Sequence, residues 1–269
     1  MAFARRERQI PAMKLEGRIV LITGASEGIG AACAAAFGRR GARLALTARR
    51  EEKLRTVGRG AFTVAGDLLR SEDRRRIVAA TLERYGRIDV LINNAGCGMY
   101  GAAWEAPLER AREMFELNFF AALEMVQLVA PAMRRQRCGT IVNVGSIAGQ
   151  VTLPWMTLYS ASKFALGSLT DGLRMELKRD GVHAMTVCPG YVTTEFQSHA
   201  LEGGPPEAVR KGRRFAIAAE DCAEAIARGV ERGARTVNTP RVGRALVALA
   251  RLFPGVVERR MERMIEPAA

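Results

Sequence analysis

The sequence predicts an α/β protein built on a doubly wound parallel sheet, and three observations predict it. Short apolar runs rich in β-branched residues alternate with helical segments along most of the 269 residues. A glycine cluster follows the first of these runs at once and opens a helix. Residues with chemical potential fall just after strands, where ligands sit in sheets of this kind. The chain is 48% hydrophobic, enough to bury a full core, and its length fits one α/β domain better than two.

The elements read in order. "RIVLIT", Arg18 to Thr23, is the first strand, and "AACAAAFGRRG" is a helix stopping at Gly41. "ARLALTAR" is the second strand and "EEKLRTV" a short helix. "AFTVAGDL" reads as the third strand, and "SEDRRRIVAATLERYG" as a helix with Ser71 as its N-cap. "IDVLINNAG" carries the fourth strand into a turn. A long helical pattern from about Pro107 to Arg135 leads to "GTIVNVGS", the fifth strand. Tyr159 to Arg179 is helical again, and "VHAMTVCPG" is the sixth strand. Right-handed crossovers then cover both faces of the sheet.

A formal net charge of +13 invites nucleic acid or a membrane surface as a partner. The arginines are spread along the chain, however, with only short clusters such as "RRER" and "EDRRRI". A GC-rich genome favouring Arg over Lys, or anionic cofactors and substrates, gives the same excess. No aromatic platform or binding motif accompanies the charge, so nucleic acid is not an expected partner. The five cysteines are odd in number and far apart, and only His183 and His199 could help hold a metal. Neither a disulfide framework nor a metal site is expected, and a reducing cytoplasm is the simplest home. The N-terminus lacks the apolar core of a signal peptide. No apolar run approaches the ~20 residues needed to cross a bilayer.

"TGASEGIG" places Gly24, Gly28 and Gly30 in a G-x-x-x-G-x-G turn. Glycines allow a tight turn and close backbone approach, and the amides of a helix N-terminus favour a pyrophosphate. No Gly-Lys-Ser/Thr follows, which disfavours a phosphate-loop NTPase. "YSASK" sets Tyr159 and Lys163 one helical turn apart on a shared face. A free phenol, with a pKa near ~10, is a poor base at neutral pH. An ammonium one turn away favours the phenolate.

The glycine turn, "NNAG" at Asn93 to Gly96, Asn118, Ser146, Tyr159 with Lys163, and "PGYVTT" from Pro189 occur in one order. Together, over roughly Leu15 to Val237, they resemble the short-chain dehydrogenase/reductase family. The resemblance implies a Rossmann-like, seven-stranded sheet, a nicotinamide cofactor, and interconversion of a carbonyl with a secondary alcohol by hydride transfer. It implies Tyr159 as acid in reduction and base in oxidation, with Ser146 on the substrate oxygen. It also implies that Asn118 disturbs its helix and orders a water on a proton path through Lys163. Gly24, Ser26, Glu27, Gly28, Ile29 and Gly30 would hold the cofactor at the first turn. Asp67 and Leu68 would meet the adenine, and Asn94, Ala95 and Gly96 the adenosine ribose. Lys163 and Tyr159 would reach the nicotinamide ribose, and Pro189, Gly190, Val192 and Thr194 the nicotinamide itself, with Thr193 as the alternative to Thr194.

In relatives that use NAD an acidic residue ends the second strand; here that position is Ala48, followed by Arg49 and Arg50. A guanidinium suits a 2′-phosphate, so NADP is favoured over NAD, with Arg49 as main contact. Glu27 departs from the pattern, because many NADP-dependent relatives carry a basic residue there. A catalytically silent, cofactor-sensing scaffold is the rival reading, and the presence of Asn118, Ser146, Tyr159 and Lys163 argues against it.

Met99, Tyr100, Leu153, Trp155 and Met156 suggest an apolar substrate pocket, suited to a lipid-like ketone, an acyl thioester or a steroid-like ring. "EFQSHALEGGPPEAVRKGRR" has the composition of a mobile lid. The chain divides into an N-terminal arm (1–14), the main domain (15–240) and a helical C-terminal extension (241–269). Arg244, Arg251, Arg259, Arg260 and Arg263 flank apolar residues there, as in an amphipathic interfacial helix kinked at Pro254. A contact in a homodimer or homotetramer, or a helix covering the domain, is the alternative.

Overall fold

Alternating side chains in short strands, four of them buried throughout, give the sheet two apolar faces, and helices cover both. The structure, a computed structural model, describes residues 13–204, 216–240 and 243–262, without the side chains of Arg244 and Leu246. Most of the expected N-terminal arm, the second half of the lid, and Arg241 and Arg263 of the extension lie outside the described residues.

Seven parallel strands form one sheet: β1 (Ile19–Thr23), β2 (Arg43–Thr47), β3 (Phe62–Thr63), β4 (Val90–Asn93), β5 (Gly139–Val144), β6 (Val182–Pro189) and β7 (Thr236–Thr239). Their order is β3-β2-β1-β4-β5-β6-β7, so the winding reverses between β1 and β4. β7 falls just before the helical extension, in a run too short to stand out as a strand by pattern. Val20, Ile22, Val90, Ile92, Val142, Met185 and Val187 face one layer. There α1 (Gly28–Gly38) and α7 (Ala219–Glu231) pack through Phe37, Ile226 and Val230. Leu21, Leu91, Ile141 and Ala184 point the opposite way, the period of two expected of strands. They meet α3 (Ser71–Tyr85), α5 (Ala121–Gln136) and α6 (Thr157–Glu176). Two shorter helices, α2 (Glu51–Val57) and α4 (Leu108–Phe115), complete the main domain.

Several elements differ from their sequence reading, each for a local reason. β3 keeps only two residues of "AFTVAGDL"; beyond Thr63 the edge chain still donates from Val64 to Leu46 and from Gly66 to Ala48, and so carries Asp67 alongside β2 to the cleft. Ser71 is the first residue of α3 rather than its N-cap; Arg70 holds the cap position, and the Ser71 hydroxyl donates to Glu124 on α5. α1 ends at Gly38, and Gly41 serves a turn with φ +76°. α6 ends at Glu176, followed by a 3-10 turn at Lys178–Asp180.

The helical run from Pro107 is interrupted by a π turn at Glu116–Phe120, which joins α4 to α5. Within Leu108–Gln136 one 18-residue window reaches a mean hydropathy of 1.2, enough by length and composition alone to cross a bilayer, although charged residues interrupt the stretch at both ends. Met125, Val126, Val129 and Met133 are buried against the sheet, the arrangement of a core helix. The C-terminal extension forms two helices, α8 (Gly243–Leu252) and α9 (Pro254–Glu262). Pro254 starts the second helix instead of kinking one. Val247 and Val257 bury against Val151, with Ile147 packed alongside, so the pair covers the segment following Ser146.

Candidate active site

The site begins where the winding reverses, at the carboxyl ends of β1 and β4. After Thr23 the chain turns into α1 through Gly24, at φ +62°, and Gly28, at φ +55°. A Cβ on Gly30 would lie 2.2 Å from the Gly24 carbonyl oxygen, so only glycine lets the helix start this close to the turn. Asn94 secures the turn from the neighbouring strand: its side-chain amide donates to the Thr23 carbonyl at 3.0 Å and the Gly24 carbonyl at 3.1 Å. Thr23 Oγ1 in return accepts from the backbone amides of Asn94 and Ala95.

A cleft of about 500 Å³ opens from this turn. Gly24, Ser26, Glu27, Gly28 and Ile29 line its first end together with Arg49, Asp67 and Leu68. Asn94, Ala95 and Gly96 form its floor; Pro189, Gly190, Val192 and Thr194 form the wall beyond. Gly30 lies behind the turn. The backbone cradle, narrowed where a Cβ on Gly28 would meet Thr194 at 3.1 Å, fits a pyrophosphate at the start of α1. Asp67 already spends one carboxylate oxygen on the Leu69 amide.

The other end is polar and nearly closed to water. Tyr159 is 6% exposed and Lys163 5%, both on α6. Ser146 Oγ accepts from the Ala148 amide at 3.1 Å and shares the cleft wall with the Tyr159 phenol. Burial raises the phenol above its ordinary pKa, and the Ser146 hydroxyl pulls the other way. Lys163 Nζ donates to the Val144 carbonyl at 3.1 Å and sits 5.8 Å from the Tyr159 ring centroid. Burial is the largest influence on the phenol, and it also depresses Lys163 itself to about 8.

Asn118 lies in the π turn, 1% exposed and outside the cleft. Its amide donates to the Cys97 carbonyl and to Ser162 Oγ, and its carbonyl accepts from the Cys97 amide. It thereby clamps the loop after β4 to α6, and the extra residue of the π turn is what brings it inward.

Apolar side chains form the remaining wall. Tyr100, Leu153 and Met156 line the cleft as the sequence suggests, while Met99 is buried behind them. Trp155 turns away to pair with Trp104, its ring 6.2 Å distant. Phe196, Leu201 and Leu117 also line the cleft, and Phe196 packs 5.8 Å from the Tyr159 ring. Sequence reading missed these three because their neighbours are distant in the chain. Cys97 was missed too; burial pushes its thiol up to about 11, against the charges of Lys163 and Arg49.

A dinucleotide cradle facing Ser146 and the buried Tyr159–Lys163 pair defines the class: a nicotinamide-dependent oxidoreductase. The family profile described as short chain dehydrogenase matches residues 18–203. The 11-beta-hydroxysteroid dehydrogenase 1A of Arabidopsis thaliana is 36% identical over 243 residues, covering 84% of this chain and 69% of its own. Among solved structures, a Burkholderia cenocepacia short chain dehydrogenase in complex with NADP is 31% identical, with a TM-score of 0.79 over 93% of this chain and 99% of its own. A Burkholderia phymatum short chain dehydrogenase/reductase in complex with NAD is 26% identical, with a TM-score of 0.82 over 91% of this chain and 96% of its own. The chain belongs to the short-chain dehydrogenase/reductase family.

The buried Lys163 has a measurable consequence. Its pKa falls from 10.5 to about 8 on folding, so between those values the unfolded chain binds more protons than the folded one. This group's contribution to stability therefore rises with pH through that window. Relative to Lys163→Met, wild-type unfolding free energy should gain roughly 2–3 kcal/mol between pH 7 and pH 10 in urea titrations. A pH-independent difference would show that the ammonium is solvated.

Proposed function

We propose that the protein is an NADP(H)-dependent reductase that converts the carbonyl of an apolar substrate to a secondary alcohol. The observation that carries this reading is that Ser146 and Tyr159 line one cleft where its glycine-lined and apolar halves meet. When bound, the nicotinamide supplies or accepts a hydride. The turn from Gly24 to Gly30 would hold its pyrophosphate, Asp67 and Leu68 its adenine, and Lys163 its ribose hydroxyls.

The chain's own residues supply the proton and the orientation. Ser146 holds the substrate oxygen and steadies charge developing on it. Tyr159 hands its proton to that oxygen; a phenol kept neutral by burial is in the right state for reduction at pH 7. Lys163, one turn along, steadies the phenolate that this leaves. Asn118 is a positioning residue, holding the Cys97 loop against α6. Phe196 and Leu201 close over Tyr159 and exclude water.

Two features support the cofactor and substrate class. Ala48 leaves no carboxylate at the end of β2, and Arg49 faces the cleft beside it. Tyr100, Leu153, Met156, Phe196 and Leu201 suit an extended hydrocarbon or fused-ring body. The steroid dehydrogenase name of the Arabidopsis relative fits the same chemistry. Elsewhere, Phe164 and Met175 are exposed along one face of α6, a surface suited to a second copy in a homodimer or homotetramer. Leu249, Leu252, Phe253 and Val256 are exposed around the α8–α9 junction, beside Arg251, Arg259 and Arg260. That junction suits the anionic surface of a membrane, on a protein otherwise placed in the cytoplasm.

Three measurements test this reading. In an NADPH-oxidation screen over diverse carbonyls, Tyr159→Phe should lose at least ~10³-fold in kcat while keeping nucleotide affinity within about threefold. Near-normal turnover would overturn the proton-transfer assignment. Arg49→Asp should weaken NADPH by at least ~30-fold and NADH by little; equal losses would remove the 2′-phosphate contact. In flotation, the protein should rise with anionic vesicles and not with neutral ones, and Phe253→Asp should abolish it; no flotation with either would dismiss membrane contact.

A further inference from the structure

A guanidinium, an ammonium and an imidazole from two separate parts of the chain converge on one carboxylate at the mouth of the cleft. Glu27, in the glycine turn, meets Arg50 at 2.5 Å and Lys53 at 3.3 Å through Oε2. Its Oε1 meets His199 Nδ1 at 3.1 Å. Arg50 precedes α2 and Lys53 lies within it, whereas His199 closes the 3-10 turn Glu195–His199 that carries Phe196 over Tyr159. Burial alone would raise the Glu27 carboxyl, but the hydrogen bonds of Arg50 and Lys53 and the charges of Arg50 and His199 hold it below its ordinary value. The group therefore links the side of the cleft that faces an adenosine ribose to the segment that closes over the phenol.

Its charge is unusual for this place. Arg49, Arg50 and Lys53 against one carboxylate leave a net positive charge that suits a phosphate dianion. Yet Glu27 competes with such a phosphate for the same two donors and repels it directly. We propose that Glu27 is a specificity-determining residue that restrains binding of a 2′-phosphate by holding Arg50 and Lys53, and couples that binding to the lid through His199. Once a 2′-phosphate draws Arg50 and Lys53 away, the carboxylate is left to His199 alone. Phosphate at one end of the cleft then tightens the lid at the other. A nucleotide without the phosphate leaves the cluster as it is.

The inference rests on the NADP reading, and adenosine 2′,5′-bisphosphate against adenosine 5′-monophosphate separates the two. Calorimetric titration of the full chain should show Glu27→Gln binding the bisphosphate about tenfold more tightly than wild type, with the monophosphate changed by less than about twofold. Amide hydrogen exchange over Glu195–His199 should slow when the bisphosphate is added to wild type, and not in Glu27→Gln or His199→Asn. If wild type prefers the bisphosphate and Glu27→Gln leaves that preference unchanged or weaker, the inference fails while the NADP reading stands. If neither protein distinguishes the two nucleotides, the NADP reading fails and takes the inference with it. Lid exchange indifferent to the bisphosphate in wild type would overturn the coupling.

Discussion

The Asn94 side-chain amide donates to the carbonyls of Thr23 and Gly24, and the Thr23 hydroxyl accepts from the backbone amides of Asn94 and Ala95. This reciprocal set of bonds joins the ends of β1 and β4 where the winding reverses, and everything around the cleft depends on it. Without it the glycine turn would have no partner for carbonyls freed by the tight bend. Two similar sets continue along the strand ends. Asn93 donates to Asn143, which donates to Thr170 on α6, and Asn118 bridges Cys97 and Ser162. Buried amides have fixed geometry and a heavy cost if left unpaired, so they set register more sharply than aliphatic packing does.

Burial then decides the electrostatics. Tyr159 and Lys163 are carried into the interior by the same helix, and desolvation disfavours the charged form of each. The phenol is held neutral, and the ammonium is moved close to the pH at which it loses its charge. Only the Ser146 hydroxyl counters this at the phenol. A proton donor in reduction gains from such a setting, because the neutral phenol is ready and the phenolate it leaves is readily reprotonated. The α8–α9 pair supports the same region from outside, through Val247 and Val257 on the segment that follows Ser146.

The order of strands and helices was legible because long runs of buried residues leave a period in the chain. The glycine turn and Ser146 were legible because each closely follows a strand, and the Tyr159–Lys163 pair because a spacing of four puts both on one helical face. Ser71 misled because a serine before a charged helix usually caps it, whereas here the Glu124 carboxylate on α5 offers the hydroxyl a stronger partner. Trp155 misled because its apolar ring found Trp104 rather than the cleft. Phe196 and Leu201 lie in the segment whose composition marked a lid, but nothing local marked them or Leu117 as lining the cleft. They become cleft residues only once loops far apart in sequence are brought over α6.

The sequence by itself determined the parallel sheet, the cradle at its first turn, and the residue types available for chemistry, since all of these follow from local period and spacing. Tertiary structure alone decided the charge states of Tyr159 and Lys163, because desolvation depends on what surrounds a group. It also decided the inward turn of Asn118, set by the π turn packing against the β4 loop. The meeting of Glu27 with Arg50, Lys53 and His199 belongs to the same class. Those four residues span more than 170 positions, and no periodicity connects them; only the packed fold puts their charges within hydrogen-bond range.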